Sequence, residues 1–379
     1  MEMSYSSSST GNVKEYANRN NKFYFIIVYT IFLYHLINNY YMDSIRLFLE
    51  SCRSQETRNS YQLSFQKYIE FVGNDLFFGN NPRMIESKII EFILSLKNKG
   101  KSYGAILNYL NAIKSFYKIN DIVLNVHKIN KFMPEQMRVN KDRAYTHEEI
   151  GKLLEISDER MRVVILLLSS TGCRLGAILS MRLGNIDKNK VLFYENTREE
   201  YFSFITPECQ NAINAYTDMR SRYGEKLDEN SHLLREQFDY RDSFAIKNPR
   251  KVTDKLLRWK LMMMAEKCGI RKRGYDKTKR QEIMIAHGFR KFFTTQLVNS
   301  KVNPEIREML LGHKIGLATC YYRPSIEEMY EEYEKAIDNL TIDPSTRLQR
   351  KVETLTIEKS RLDIEAKFKQ IEQQIEIKR

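Results

Sequence analysis

The amino-acid sequence predicts a mainly α-helical protein of two domains with one small antiparallel β-hairpin. With 379 residues, the chain is too long for one ordinary domain and long enough for two. Apolar residues make up 42% of it while Gly and Pro are few, as is typical of globular helical domains. Along most of the chain the apolar side chains recur at spacings of three and four residues, which is the period of a helix.

The charge and the cysteines narrow the class of function. A formal net charge of +13 favours a polyanionic partner, and nucleic acid ahead of a membrane surface. The five cysteines are scattered without a CxxC pair, which fits neither a disulfide framework nor a zinc ribbon and predicts a reducing, cytoplasmic compartment. No carboxylate cluster, His/Cys array or GxxxxGK[ST] loop suggests a metal or nucleotide cofactor, so we expect none.

Residues 1–41 form an N-terminal extension to the predicted fold. Residues 1–21 are polar and rich in Ser and Asn, as in a disordered arm. Residues 23–37 are densely apolar but shorter than the roughly 20 residues that a membrane-spanning helix needs. Three interpretations stay open: a membrane-proximal anchor, a strand or helix added to the fold, and translated sequence upstream of a true start at Met42.

Residues 42–127 predict a small bundle of four or five helices with a basic surface. Residues 54–71 show the pattern most clearly, with apolar side chains on one face and a stop at Gly73. Residues 85–96 and 103–117 repeat it. Residues 128–143 then lose the periodicity and carry many charges, so we interpret them as a linker.

A second domain is predicted over residues 144–340. It opens with a capping box, in which Thr146 and Glu149 have the spacing that caps a helix N-terminus. The β-hairpin is predicted at 191–205, around a turn of Asn196, Thr197 and Arg198. Helices are expected at 162–170, from Pro207, at 249–267 and at 326–340, and Pro344 is expected to end the last of them. A basic loop at 271–280 could touch phosphate.

Residues 341–379 predict one long helix. Residues 348–377 contain no helix breaker and show two apolar stripes that are out of phase with each other. This helix either forms a coiled coil that joins protomers or remains a solvated single helix.

The second domain holds side chains that suit attack on a phosphodiester. The guanidinium groups of Arg174 and Arg290 match the non-bridging oxygens of a phosphate and the charge that grows on them. His287 and His313 can exchange protons near neutral pH. A tyrosine oxygen is a nucleophile once its phenolate is favoured over the neutral form, and the candidates are Tyr321 and Tyr322.

The order of these residues resembles that of the tyrosine recombinases, the integrase family of DNA breaking and rejoining enzymes. TGCRLGAILSMRLGNID resembles the first box of the family and gives Arg174, whereas HGFRKFFTTQLV resembles the His-x-x-Arg box and gives His287 and Arg290. LLGH matches the Leu-Gly-His box that ends at His313, and the nucleophile of the family lies nine residues later, at Tyr322. The TPE after the hairpin, the YYRP and the helical tail are most similar to integrases of archaeal viruses and integrated elements.

The resemblance implies a core-binding domain over 42–127 and a catalytic domain over 144–340 that close as a clamp on double-stranded DNA. It implies that Tyr322 forms a 3′-phosphotyrosyl intermediate while the arginines and histidines hold the scissile phosphate, with no cofactor. It also implies attachment-site DNA, a homo-tetramer during synapsis and an accessory directionality factor as partners.

One position departs from the family, which carries a lysine in the hairpin turn to protonate the leaving 5′ oxygen. Here Arg198 stands at the matching place, and arginine is a poorer proton donor than lysine. Either Arg198 acts electrostatically, or Lys188 or Lys190 reaches in from the strand entry. Two other functions stay open: DNA relaxation of the type IB topoisomerase kind, and a DNA-binding protein whose active site has decayed.

Overall fold

The computed structural model describes residues 39–73, 81–136, 142–272, 281–314 and 321–377. The interpretations of residues 1–38 and of most of the 271–280 loop lie outside these ranges. The chain divides into two compact units, Met1–Val139 and Asn140–Arg379. Among the described helices, none combines the length and the apolar character that crossing a membrane requires.

The first unit is helical throughout its described part. The helix Gln55–Val72 shows how its helices begin and end. At its N-terminus the Ser54 hydroxyl accepts from the Thr57 amide, and at its C-terminus Gly73 ends the helix with φ 75°, as predicted. Rings fill the core, and the centroid of Phe65 lies 4.2 Å from that of Phe116 and 5.3 Å from that of Phe48. The helices are α1 (Asn39–Glu50), α2 (Gln55–Val72), α3 (Pro82–Asn98), α4 (Tyr103–Ile119) and α5 (Val126–Asn130).

The second unit is built around one buried helix. In α7 (Glu159–Thr171) every residue from Val163 to Thr171 is buried, so this helix is covered on all sides and packs in the centre. Helix α6 (His147–Glu155) begins with the predicted capping box of Thr146 and Glu149. The other helices of this part of the chain are α8 (Leu175–Ser180), α9 (Pro207–Arg222), α10 (Ser243–Lys247), α11 (Asp254–Lys267), α12 (His287–Asn299), α13 (Pro304–Leu310), α14 (Ile326–Glu334) and α15 (Ile337–Leu340).

A small antiparallel sheet of order β1-β2-β3 completes the second unit. Its strands are β1 (Ile186–Asp187), β2 (Lys190–Phe193) and β3 (Tyr201–Phe204). Phe193 pairs with Tyr201 next to the turn, and Lys190 pairs with Phe204 at the other end. The predicted fold class, mainly helical with a small antiparallel sheet, is therefore confirmed.

Three predicted helix boundaries were wrong. Helix α11 begins at Asp254 rather than near 249, because Lys251 forms an extended bridge with Arg235 before Thr253 caps the helix. The helix predicted over 326–340 is two helices, α14 and α15, since the chain tightens where the Ala336 amide donates to the Tyr333 carbonyl. Pro344 does not end a helix but starts α16 (Pro344–Ile377), in keeping with the tolerance of the first helical turn for proline.

Candidate active site

Gly172 sets the position of Arg174. It ends α7 in the left-handed conformation, with φ 59°, and its amide donates to the Leu168 carbonyl. A Cβ at this position would lie 2.5 Å from the Phe293 ring, so both the backbone and the packing require glycine. The chain then turns into α8, where Arg174 is the exposed N-cap residue.

Arg290 connects the segment that carries Arg174 to the Leu-Gly-His segment. Its side chain lies on α12 and is only 7% exposed. The guanidinium donates to the carbonyl oxygens of Gly172 and Leu311, each at 2.7 Å. Burial lowers the pKa of Arg290, and the like charge of Arg174 lowers it further. Arginine stays protonated despite such shifts, so Arg290 and Arg174 are two cations close enough to repel each other.

His313 follows α13 through a Schellman turn. The His313 amide donates to the Glu308 carbonyl and the Gly312 amide to the Met309 carbonyl, the pattern of this C-terminal motif. Gly312 has φ 67°, and a Cβ there would lie 2.5 Å from the Tyr201 ring. Gly312 of the Leu-Gly-His sequence therefore sets the direction of His313 and allows the turn to pack on the sheet.

The His313 ring is held from both sides. Its Nδ1 lies 2.6 Å from the Glu308 carboxylate, and its Nε2 lies 2.6 Å from Nη2 of Arg290. The hydrogen bond with His313 is the main cause that lowers the pKa of Glu308.

A cleft of about 690 Å³ brings most of the predicted residues together. Arg174, Arg198, His313 and Tyr322 all line it. Its other charged lining residues are Glu199, Glu200, Lys314 and Arg323, so lysines and arginines outnumber carboxylates. Such a cationic cleft suits an anion such as a phosphodiester. In the described part of the chain, no group of three or more His, Cys, Asp or Glu side chains could hold a metal ion.

The two adjacent tyrosines differ in their surroundings. Tyr322 is 37% exposed and lines the cleft, whereas Tyr321 is 89% exposed and is not a lining residue. The pKa of Tyr322 is raised, chiefly by its partial burial and further by nearby glutamates. In the DNA-free protein the Tyr322 phenol is therefore protonated at neutral pH, and activation requires cations or a base brought near it.

The hairpin brings Arg198 to the cleft. Arg198 lies in the turn after β2 and is a lining residue. Lys190 is three residues before Phe193 on β2, about 10 Å farther from the turn. Lys188 precedes Lys190 in the β1–β2 connection, and neither lysine lines the cleft.

His287 lies outside the cleft lining. It is exposed at the first position of α12, three residues before Arg290 and therefore roughly one helical turn from it. The structure thus gathers Arg174, Arg198, His313 and Tyr322 in the cleft, with Arg290 bonded to His313.

Sequence reasoning missed three residues of the site. Glu308 pairs with His313, Tyr201 packs beneath Gly312, and Lys314 adds a cation to the cleft. An acidic residue five positions before a candidate histidine was a weak signal for Glu308. Tyr201 carried none, because its role depends on the contact between β3 and the turn after α13.

Comparison with known proteins adds independent findings. Residues 143–328 match the model of the phage integrase family. The chain is 24% identical over 305 residues to tyrosine recombinase XerC of Leptospira interrogans, covering 76% of this chain and 89% of that protein. To tyrosine recombinase XerA of Pyrococcus furiosus it is 22% identical over 285 residues, covering 73% and 90%.

Two solved structures share the fold. A lambda integrase dimer bound to a COC′ core site has a TM-score of 0.52 at 15% identity, covering 74% of this chain and 93% of that one. The Tn1549 transposon integrase in complex with circular intermediate DNA also has a TM-score of 0.52, at 18% identity, covering 77% and 99%.

Proposed function

We propose that this chain, a tyrosine-type site-specific recombinase with a phage integrase family domain at residues 143–328, cuts and rejoins duplex DNA to integrate or excise a mobile element. The observation that carries the proposal is a single cleft that is lined by Tyr322, Arg174, Arg198 and His313. The net charge of +13 supports DNA as the partner. The structural neighbours bound to a COC′ core site and to circular intermediate DNA support it as well.

The proposed reaction conserves the energy of the phosphodiester bond. The Tyr322 oxygen loses its proton and forms a bond to the scissile phosphorus, while the bond from phosphorus to the 5′ oxygen breaks. The 5′ oxygen takes up a proton and leaves as a hydroxyl, and the 3′ phosphate stays on Tyr322. A 5′ hydroxyl of the partner strand then attacks the phosphotyrosine and releases the enzyme, so no cofactor is consumed.

The site residues divide this work by their chemistry. Arg174 and Arg290 hold the non-bridging oxygens and stabilise the charge of the pentavalent transition state. His287 and His313 donate hydrogen bonds to the phosphate and assist proton transfer. Arg198 stabilises negative charge on the leaving 5′ oxygen rather than donating a proton, because a guanidinium group keeps its proton in proteins.

The finer biological assignment rests on sequence features. The TPE after the hairpin, the YYRP and the long C-terminal helix support an origin in an archaeal virus or integrated element. We assign attachment-site DNA as substrate, with the two units closing as a clamp on one duplex. A homo-tetramer forms during synapsis, and an accessory directionality factor and a cytoplasmic, DNA-associated location complete the proposal.

A nicked suicide substrate carrying the attachment site tests the chemistry. When the fragment beyond the cleavage site is lost, the phosphotyrosyl enzyme accumulates as a covalent protein–DNA band. The wild type and Tyr321→Phe should give the band, and Tyr322→Phe should not. A band that persists in Tyr322→Phe but disappears in Tyr321→Phe would show that the other tyrosine is the nucleophile.

A decayed DNA-binding protein is the second candidate, favoured by the arginine in place of the hairpin lysine. It predicts site-specific binding in gel-shift assays with no covalent band for the wild type. Relaxation of supercoiled plasmid lacking any attachment site would instead indicate a topoisomerase, whereas strand exchange that depends on the site excludes it.

A further inference from the structure

Glu308 and His313 are joined by two separate bonds. Their backbones are linked by the His313 amide and the Glu308 carbonyl at 3.0 Å. Their side chains are linked by Nδ1 and Oε2 at 2.6 Å. A Schellman turn places these two positions side by side and usually fills them with apolar side chains. Here an ionisable pair occupies that place, at the edge of the cleft.

The two contacts of the His313 ring require one and the same tautomer. A guanidinium group has only donors, so Arg290 at 2.6 Å requires an unprotonated Nε2 that accepts. The ring proton is then on Nδ1, where it donates to the Glu308 carboxylate. The other carboxylate oxygen of Glu308 lies 3.3 Å from Nε of Arg307, which fixes its direction.

This arrangement must change when a phosphate enters the cleft. An unprotonated Nε2 repels a phosphate oxygen, so His313 has to gain a proton on Nε2 before it can donate a hydrogen bond there. The gained proton makes an imidazolium, which the carboxylate of Glu308 stabilises. The Arg290 donor that had been bonded to Nε2 is then released towards the phosphate.

We propose that Glu308 is a positioning residue that holds the His313 ring with Nε2 towards the cleft and stabilises its imidazolium when phosphate binds. Glu308 acts in the reaction proposed above, so its role rests on that proposed function. It does not touch the reacting atoms. The charged groups around His313 are Arg290 on α12, Arg307 and Glu308 on α13, and Arg174, Arg198, Glu199, Glu200, Lys314 and Arg323 in the cleft lining.

The test compares Glu308→Gln with Glu331→Gln, a change at an exposed glutamate of α14. Single-turnover cleavage of the suicide substrate is measured between pH 5.5 and 9, with DNA affinity measured in parallel. Glu308→Gln should shift the alkaline limb of the pH–rate profile downward by about one unit, which is about tenfold in rate on that limb. DNA affinity should stay within about twofold, and Glu331→Gln should match the wild type.

A second readout needs no activity. The imidazole ¹⁵N shifts of His313, assigned by comparison with His313→Gln, should show the Nδ1-protonated tautomer in both phosphate-free proteins, because Arg290 alone excludes a proton on Nε2. With inorganic phosphate added at neutral pH, the shifts should show the imidazolium in the wild type and a neutral ring in Glu308→Gln. A lower rate with an unshifted profile, or the same ring state in both proteins with phosphate, would overturn the role of Glu308. An absent covalent band in the wild type would count against the recombinase proposal alone, because the ¹⁵N shifts still test Glu308.

Discussion

The guanidinium of Arg290 donates a hydrogen bond to the carbonyl oxygen of Gly172 at 2.7 Å, across 118 residues of sequence. This bond joins the segment that carries Arg174 to the helix that carries Arg290. The same guanidinium donates to the Leu311 carbonyl and so reaches the turn that carries His313. One buried arginine thereby fixes the mutual position of three segments that the sequence keeps far apart.

Replacing Gly172 by alanine should loosen this connection. The new Cβ would meet the Phe293 ring at 2.5 Å in a left-handed backbone, so we expect a loss of about 1–3 kcal/mol in the free energy of unfolding. Cleavage of the suicide substrate should fall more than stability does, because Arg174 follows directly. Urea unfolding measures the first effect.

Gly151→Ala is the matched control for this substitution. Gly151 lies inside α6 with nothing within 4 Å of an added Cβ, so alanine should stabilise the protein by about 0.5–1 kcal/mol. Equal effects of the two substitutions would contradict the role assigned to Gly172.

Glu225 should make stability depend on pH. It accepts from Arg220 at 2.6 Å and Arg235 at 2.9 Å, and all three side chains are at most 3% exposed. Burial acts to raise the pKa of Glu225, but the bonds from the two arginines outweigh it, and the pKa is lowered. A lowered pKa means that the stabilisation is complete above the unfolded value of about 4.3 and is lost as the pH falls below it.

Glu225→Gln should therefore cost about 3–5 kcal/mol at pH 7, because two buried arginines lose their partner charge. The difference from the wild type should shrink as the pH falls below about 4. Urea unfolding over pH 3.5–7 measures this, with Glu331→Gln as an exposed control expected to change little. A gap that does not depend on pH would contradict the sign derived for Glu225.

Arg198→Ala should slow cleavage by about 100–1000-fold, the usual cost of removing one transition-state donor. The defect should persist on a substrate whose 5′ oxygen is replaced by sulfur, because a thiolate leaves without protonation and Arg198 is assigned an electrostatic role. Rates on both substrates measure this. Full rescue by sulfur would mean that Arg198 supplies the proton after all.

Deleting residues 345–379 should weaken assembly on DNA while leaving single-site cleavage intact. The tail helix α16 exposes apolar side chains, among them Leu348 at 65%, Leu355 at 55% and Phe368 at 63%. Such side chains favour contact with another protomer. Sedimentation of the DNA complex measures its size, and unchanged assembly would leave α16 as a solvated helix.

Local patterns in the sequence predicted most of the helices and most of the candidate site. The Thr146–Glu149 capping box, the stop at Gly73 and the hairpin depend on neighbours within a few residues, so their physics is contained in short segments. One of the three boundary errors came from a distant partner, because Arg235 held Lys251 extended and delayed the start of α11. The ordered boxes likewise named Arg174, Arg290, His313 and Tyr322 as one set.

Only the tertiary structure could tell chemically equal side chains apart. Tyr321 and Tyr322 are the same residue type, and packing alone lets Tyr322 line the cleft while Tyr321 faces solvent. The hairpin turn places Arg198 in the cleft lining, whereas Lys190 at the far end of β2 is not a lining residue. The bond between His313 and Arg290 depends on the end of α13 meeting α12. The sequence gives the type of each side chain directly. Exposure, register and electrostatic neighbours arise from contacts between segments that are distant in the chain.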